Sequence, residues 1–135
     1  MSTHAVTYVH EGNDKSPILV AMYRHCDGHI KSHGYELTKF LLNKVLVNGI
    51  SDGDKHLDVA NGMGDLAAQL ICHFKRDNAV GGIYLNAFEN GIRADEEYIY
   101  RIYTLDDTIY LRVSSDHDRN YTQAFKSKKG TVVNH

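Results

Sequence analysis

Two runs of strand-forming residues joined by a pair of aspartates constrain this chain more than any other feature. Glu97 to Leu105 and Thr108 to Val113 are rich in tyrosine, isoleucine and valine, and they flank Asp106-Asp107. Aromatic and β-branched side chains suit a pleated surface, and aspartate tolerates the left-handed backbone of a tight turn. A two-residue loop sets the register: Ile102 opposite Leu111, Tyr100 opposite Val113 and Thr104 opposite Ile109 share one mostly apolar face. A slip of one residue would send that set to the other side, so this hairpin needs a core to lie on. The reverse face carries Tyr103 opposite Tyr110 and Arg101 opposite Arg112. Like charges directly opposed are unfavourable, so a carboxylate neighbour or an anionic partner should compensate them.

Helices supply the other half of that core. From Tyr35 to Val47, Leu37, Leu41 and Val45 recur every four residues, with Phe40 and Leu42 widening the stripe and Asn48-Gly49 as a stop signal. A second helix is expected from about Asp65 to Lys75, with Leu66, Leu70 and Phe74 on one face beside Ala67 and Ile71. Asp65 at its start and Lys75-Arg76 at its end complement the helix dipole. Before the helices, Ala5–Val9 and Ile18–Tyr23 read as a hairpin around the turn-rich segment 11–17. Val80–Leu85 reads as one more strand, and the polar tail from Asp116 is expected to fray. The expected fold is α+β: a mostly antiparallel sheet of about five strands in ββααβββ order, with two helices packed on one face. The predicted core is Leu37, Phe40, Leu41, Val45, Leu66, Leu70, Phe74, Ile102 and Leu111.

The 135 residues suffice for one domain with its own core. A balance of 15 basic against 17 acidic residues excludes a strongly basic nucleic-acid binder. Two cysteines, Cys26 and Cys72, are too few for a disulfide framework, and no signal peptide or membrane span is visible, so a cytoplasmic protein is expected.

Chemistry concentrates between the second strand and the first helix. Arg24, His25, Asp27 and His33 lie within ten residues, around Gly28 and Gly34. Histidine titrates near neutrality and a carboxylate can orient it, so these groups are candidates for proton transfer. Loop chemistry that closes a turn is the plain alternative, and either way the four are expected to form one connected polar cluster. Imidazoles and a carboxylate also suit zinc, but neither HExxH nor CxxC is present, and the expectation is no metal and no cofactor. Asn61-Gly62-Met63-Gly64 before the second helix is a candidate anion site, because glycine turns free backbone N–H groups to face a negative charge. Asp65 beside it repels phosphate, and a tight turn capped by Asn61 or Asp65 explains the same residues. The pairing of Gly82-Ile83-Tyr84 with Tyr98-Ile99-Tyr100 is not a GIY-YIG nuclease, since the second motif lacks its glycine.

Tyr23-Arg24-His25-Cys26-Asp27-Gly28 with His33-Gly34, then the run from Asn61 to Leu70, His73-Phe74-Lys75 and Gly81-Gly82-Ile83-Tyr84-Leu85 resemble a group of uncharacterised small proteins of bacteria and their phages. The resemblance spans about residues 18 to 113. The chain departs from it at Cys26, where the group has tryptophan, and at His29, where it has tyrosine, which weakens a metal site using either residue. The resemblance implies no activity; it implies a phage or prophage setting, where small domains often inhibit host defences. Three readings follow. A binding protein that occupies a host protein or protein complex through Arg101, Tyr103, Tyr110 and Arg112 fits the lack of a catalytic motif. A small hydrolase or transferase, acting on a nucleotide through His25, Asp27 and His33, is the alternative. The Tyr/Arg face as a platform for single-stranded nucleic acid is the third and less favoured one. No membrane partner is expected, and a homodimer stays open.

Overall fold

The computed structural model describes residues 3–49, 58–87, 97–115 and the backbone of 122–126. Strands β1 (Ala5–His10) and β2 (Ile18–Arg24) form the first hairpin. One turn of π-helix, Ile30–Gly34, runs into α1 (Tyr35–Leu41). After it come β3 (Val45–Val47), β4 (Val59–Asn61), α2 (Gly62–Lys75), β5 (Ile83–Asn86), β6 (Tyr98–Leu105), β7 (Thr108–Ser115) and β8 (Thr122–Lys126). The main sheet has six strands in the order β5-β2-β1-β6-β7-β8, and β3 and β4 form a separate parallel pair. Every junction of the main sheet is antiparallel except β1 with β6. The fold is α+β with a mostly antiparallel sheet, as the patterning predicts.

The last hairpin has the expected register throughout, from Leu105 opposite Thr108 to Tyr100 opposite Val113. Asp106 and Asp107 both have left-handed backbones, with φ of 52° and 62°, the geometry of the turn that matches strand twist. Tyr100, Ile102, Ile109, Leu111 and Val113 are buried. They share a core with Ala5, Val9 and Met22 from the sheet, Leu37 and Leu41 from α1, and Met63, Leu66, Leu70 and Phe74 from α2.

Three expectations need correction. The first helix ends at Leu41, and Val45–Val47 is a strand paired in parallel with Val59–Asn61. Two valines around Leu46 suit a pleated strand, and the partner that completes it lies beyond the span a helical period can sense. Val45 and Phe40 are accordingly half-buried, whereas the other seven predicted core residues are buried. The second helix starts at Gly62, with Met63 buried one turn ahead of Leu66 and Ala67. Finally, within the stretch expected to fray, Thr122–Lys126 pairs antiparallel with β7, because β7 offers an open edge. Asp52-Gly53-Asp54, whose composition reads as a loop tip, and most of residues 86–95, which read as a polar loop between strands, lie outside the described residues.

Candidate functional site

The segment between β2 and α1 is folded around two close approaches. Gly28 lies against the start of β1: a Cβ there would sit 2.7 Å from Ala5 Cβ and 2.8 Å from Thr3 O. Its N–H donates to Thr3 O at 2.9 Å, and its carbonyl accepts the buried Tyr100 hydroxyl at 2.7 Å. Gly34 is the second and milder one, since a Cβ there would meet Ile30 Cγ2 at 3.3 Å and the Tyr100 ring at 3.4 Å. Between them His29 O accepts from Ser32 N, His33 N and Gly34 N, which opens the turn to π-width and directs His33 inward.

His33 is wholly buried. Its ring meets Phe74 and Tyr100 edge-on at 5.1 and 4.9 Å. Arg24 Nη1 donates to His33 Nδ1 at 3.1 Å, and Thr7 Oγ1 lies 2.7 Å from Nε2. A guanidinium can only donate, so Nδ1 carries the lone pair and Nε2–H donates to Thr7. Burial, then the Arg24 charge, pushes the His33 pKa down to about 3. The imidazole is thus neutral and has both nitrogens engaged. Arg24 also pairs with Glu36 through Nη1 and donates from Nε to Cys26 O at 2.8 Å.

Half of the expected four-residue cluster therefore exists. Arg24 and His33 meet, but they are joined by Thr7 and Glu36. His25 instead contacts the Tyr23 hydroxyl at 3.1 Å and stacks on His4 at 4.5 Å. Asp27 is exposed and has no side-chain partner among the described residues. Its left-handed φ of 61° is the cause: the chain turns there to dock Gly28, and residues 25–27 are left facing outward. Thr7 had a sequence signal, a polar residue in the apolar 5, 7, 9 alternation of β1. Glu36 had a weaker one, three residues after His33.

Neutral histidines accepting from arginines recur. Arg101 Nη1 donates to His10 Nε2 at 3.0 Å, while His10 Nδ1–H donates to Ser16 O. Arg76 Nη2 donates to His73 Nδ1 at 3.2 Å. Burial is the main cause that lowers the pKa of His10 and of His73. Three of the nine histidines thus accept hydrogen bonds from arginines. Among the described residues no group of three or more His, Cys, Asp or Glu side chains is placed to hold a metal ion.

The like-charged Arg101–Arg112 pair on the hairpin's reverse face is compensated from within. Arg112 Nη1 pairs with Asp14 Oδ2 at 2.8 Å, and the Arg112 Cζ lies 5.5 Å from the Tyr103 ring centre. Arg101 lies 4.9 Å from the Tyr8 ring centre. Tyr103 and Tyr110 stack at 5.5 Å, nearly parallel, and Tyr103 is buried. At the glycine turn, the Asp65 carboxylate accepts the Asn61 N–H at 2.8 Å and Asn61 Oδ1 accepts from Gly49 N. An anion beside Gly62, Met63 and Gly64 would thus meet a carboxylate already seated there.

Two adjoining clefts open at the end of the sheet. The inner one, about 390 Å³, reaches from Arg24, His25 and Asp27 past Arg76 and Asp77 to Tyr84. The outer one, about 570 Å³, lies along α1 and is lined by Lys31, Ser32, Tyr35, Lys39 and Phe40. Arg24, Asp27, Glu36 and His73 line both. No helix among the described residues is long and apolar enough to cross a membrane. No protein-family model matches the chain, and comparisons with curated proteins and with solved structures give no match either.

Proposed function

We propose that this protein works by binding a macromolecular partner, a host protein or protein complex, rather than by turning over a substrate. Its setting would be the bacterial cytoplasm, as a phage or prophage accessory protein that occupies a component of a host defence system. The observation that carries the binding reading is the state of His33. The residue best suited to proton transfer is buried, neutral and hydrogen-bonded at both nitrogens, so it holds the fold and positions Arg24. His25 and Asp27 do not meet, and a general base needs its partners within hydrogen-bond reach. The phage setting is supported by the resemblance carried by Tyr23–Gly28, His33-Gly34 and the glycine-rich segments.

The contact surface assigned to this role is the β5 end of the sheet. Val80, Tyr84 and Leu85 are large apolar side chains, 95%, 52% and 57% exposed, within one short segment. β5 is an edge strand of the main sheet, so Tyr84 and Leu85, which alternate to its two faces, flank an open edge where a partner can pair with the backbone and cover both. The Tyr/Arg face of the hairpin, by contrast, spends its cations on Asp14, Tyr8 and Tyr103.

Affinity capture from host lysate followed by cross-linking tests the reading. One defined protein should be retained by the full chain, lost with Leu85→Asp, and retained with Asp27→Asn. Equal capture by the Leu85→Asp variant would remove the assigned surface. Turnover of any substrate that Asp27→Asn abolishes would replace binding with catalysis.

A further inference from the structure

The outer cleft is not used by the partner reading, and its lining has a distinct chemistry. Lys31, Tyr35 and Lys39 recur every four residues along the π-turn and α1, and all three are exposed and line it. Tyr35 is 59% exposed, with Lys39 Nζ 5.3 Å from its ring centre. Glu36 is taken by Arg24 and Asp14 by Arg112, and among the described residues neither Lys31 nor Lys39 has an ion-pair partner. Lys31 and Lys39 therefore present their charge to the cleft with no described carboxylate paired to either. Ser32 adds a hydroxyl to the same wall. At the junction with the inner cleft stand Arg24 and Asp27, whose carboxylate has no partner among the described residues.

We propose that this outer cleft binds a nucleoside phosphate. An exposed tyrosine offers a stacking face to a heterocyclic base, and such stacking is tolerant of base identity. Two lysines beside it meet phosphate as point charges. Asp27, at the junction, accepts hydrogen bonds from sugar hydroxyls or a base amine, which places the phosphate at the outer, lysine-lined side. The volume of about 570 Å³ lies in the usual range for small-ligand sites, whereas an acidic protein segment would use the lysines and leave both the concavity and the ring unused. The same chemistry is presented by a free nucleotide and by the phosphorylated end of a single strand.

Isothermal titration calorimetry on the full chain tests this with four probes: ADP, a short 5′-phosphorylated single-stranded oligonucleotide, inorganic pyrophosphate and poly-glutamate. ADP or the oligonucleotide should bind, the tighter of the two identifying the source. Pyrophosphate should bind about tenfold more weakly, since it has no base to stack on the Tyr35 ring. Lys31→Gln, Lys39→Gln and Tyr35→Ala should each weaken binding about fivefold or more with unchanged melting temperature, because these side chains are exposed. Leu85→Asp should leave nucleotide binding intact, so failure of the partner surface and failure of this site are separable. The proposal is overturned if neither nucleotide nor oligonucleotide binds, if binding ignores the three cleft variants, or if poly-glutamate or pyrophosphate binds as tightly as the nucleotide.

Discussion

Replacing His33 by glutamine should flatten the dependence of stability on acid. The wild-type imidazole titrates near 3 in the folded chain and near 6.5 once unfolded. The folded state thus binds fewer protons than the unfolded state between those values. Its contribution is complete above pH 6.5 and is lost progressively as pH falls toward 3. Around pH 4.5 the unfolded imidazole is almost fully protonated and the folded one almost neutral, a gap worth about 2–3 kcal/mol with the pKa at about 3. Glutamine does not titrate, yet it keeps a donor and an acceptor for Thr7 and Arg24. Urea unfolding at pH 7 and about pH 4.5 should show the wild type losing about 2–3 kcal/mol more than His33→Gln. His10, His73 and Asp14, whose pKa values are also lowered, weaken both proteins alike and cancel in the comparison. Equal losses in the two proteins would show that His33 is accessible to protons in the folded state, and the argument from its burial would fail.

Phe74→Ala should cost about 3–5 kcal/mol in chemical denaturation, because Phe74 is buried in the core and is a wall of the His33 pocket; a loss below about 1 kcal/mol would place α2 outside the core. Gly28→Ala should destabilise by about 1–3 kcal/mol or more, since the new methyl falls 2.7 Å from Ala5 Cβ and on the Thr3 carbonyl; an unchanged melting temperature would contradict the packing of this loop on β1. Asp107→Gly should stabilise by about 0.5–1 kcal/mol, since the position has a φ of 62° and two adjacent carboxylates repel; a lower melting temperature would mean that the aspartate makes a compensating contact.

The hairpin from Tyr100 to Val113 was legible residue by residue, because alternation and a two-residue turn are local and each fixes the register independently of the other. Its like-charged Arg101–Arg112 pair was legible too, and so was the need for something to offset it. Which group does so was not: Asp14 stands in the first hairpin, 98 residues from Arg112, and no periodicity reports such a distance. The stripe of Leu66, Leu70 and Phe74 announced α2, whereas Leu37, Leu41 and Val45 suggested one helix where the chain builds a helix and a strand. A period of four describes what a segment would bury as a helix; the strand exists because Val59–Asn61 returns alongside it. The polar site divides in the same way. Sequence placed Arg24 and His33 within reach of one another, but left-handed Asp27 turned its own side chain and His25 outward, and the parallel pairing of β1 with β6 brought Thr7 and Tyr100 to the imidazole. Burial then made the histidine neutral. Local residue order determines which groups carry the chemistry; long-range packing decides which of them are desolvated, and therefore what they can do.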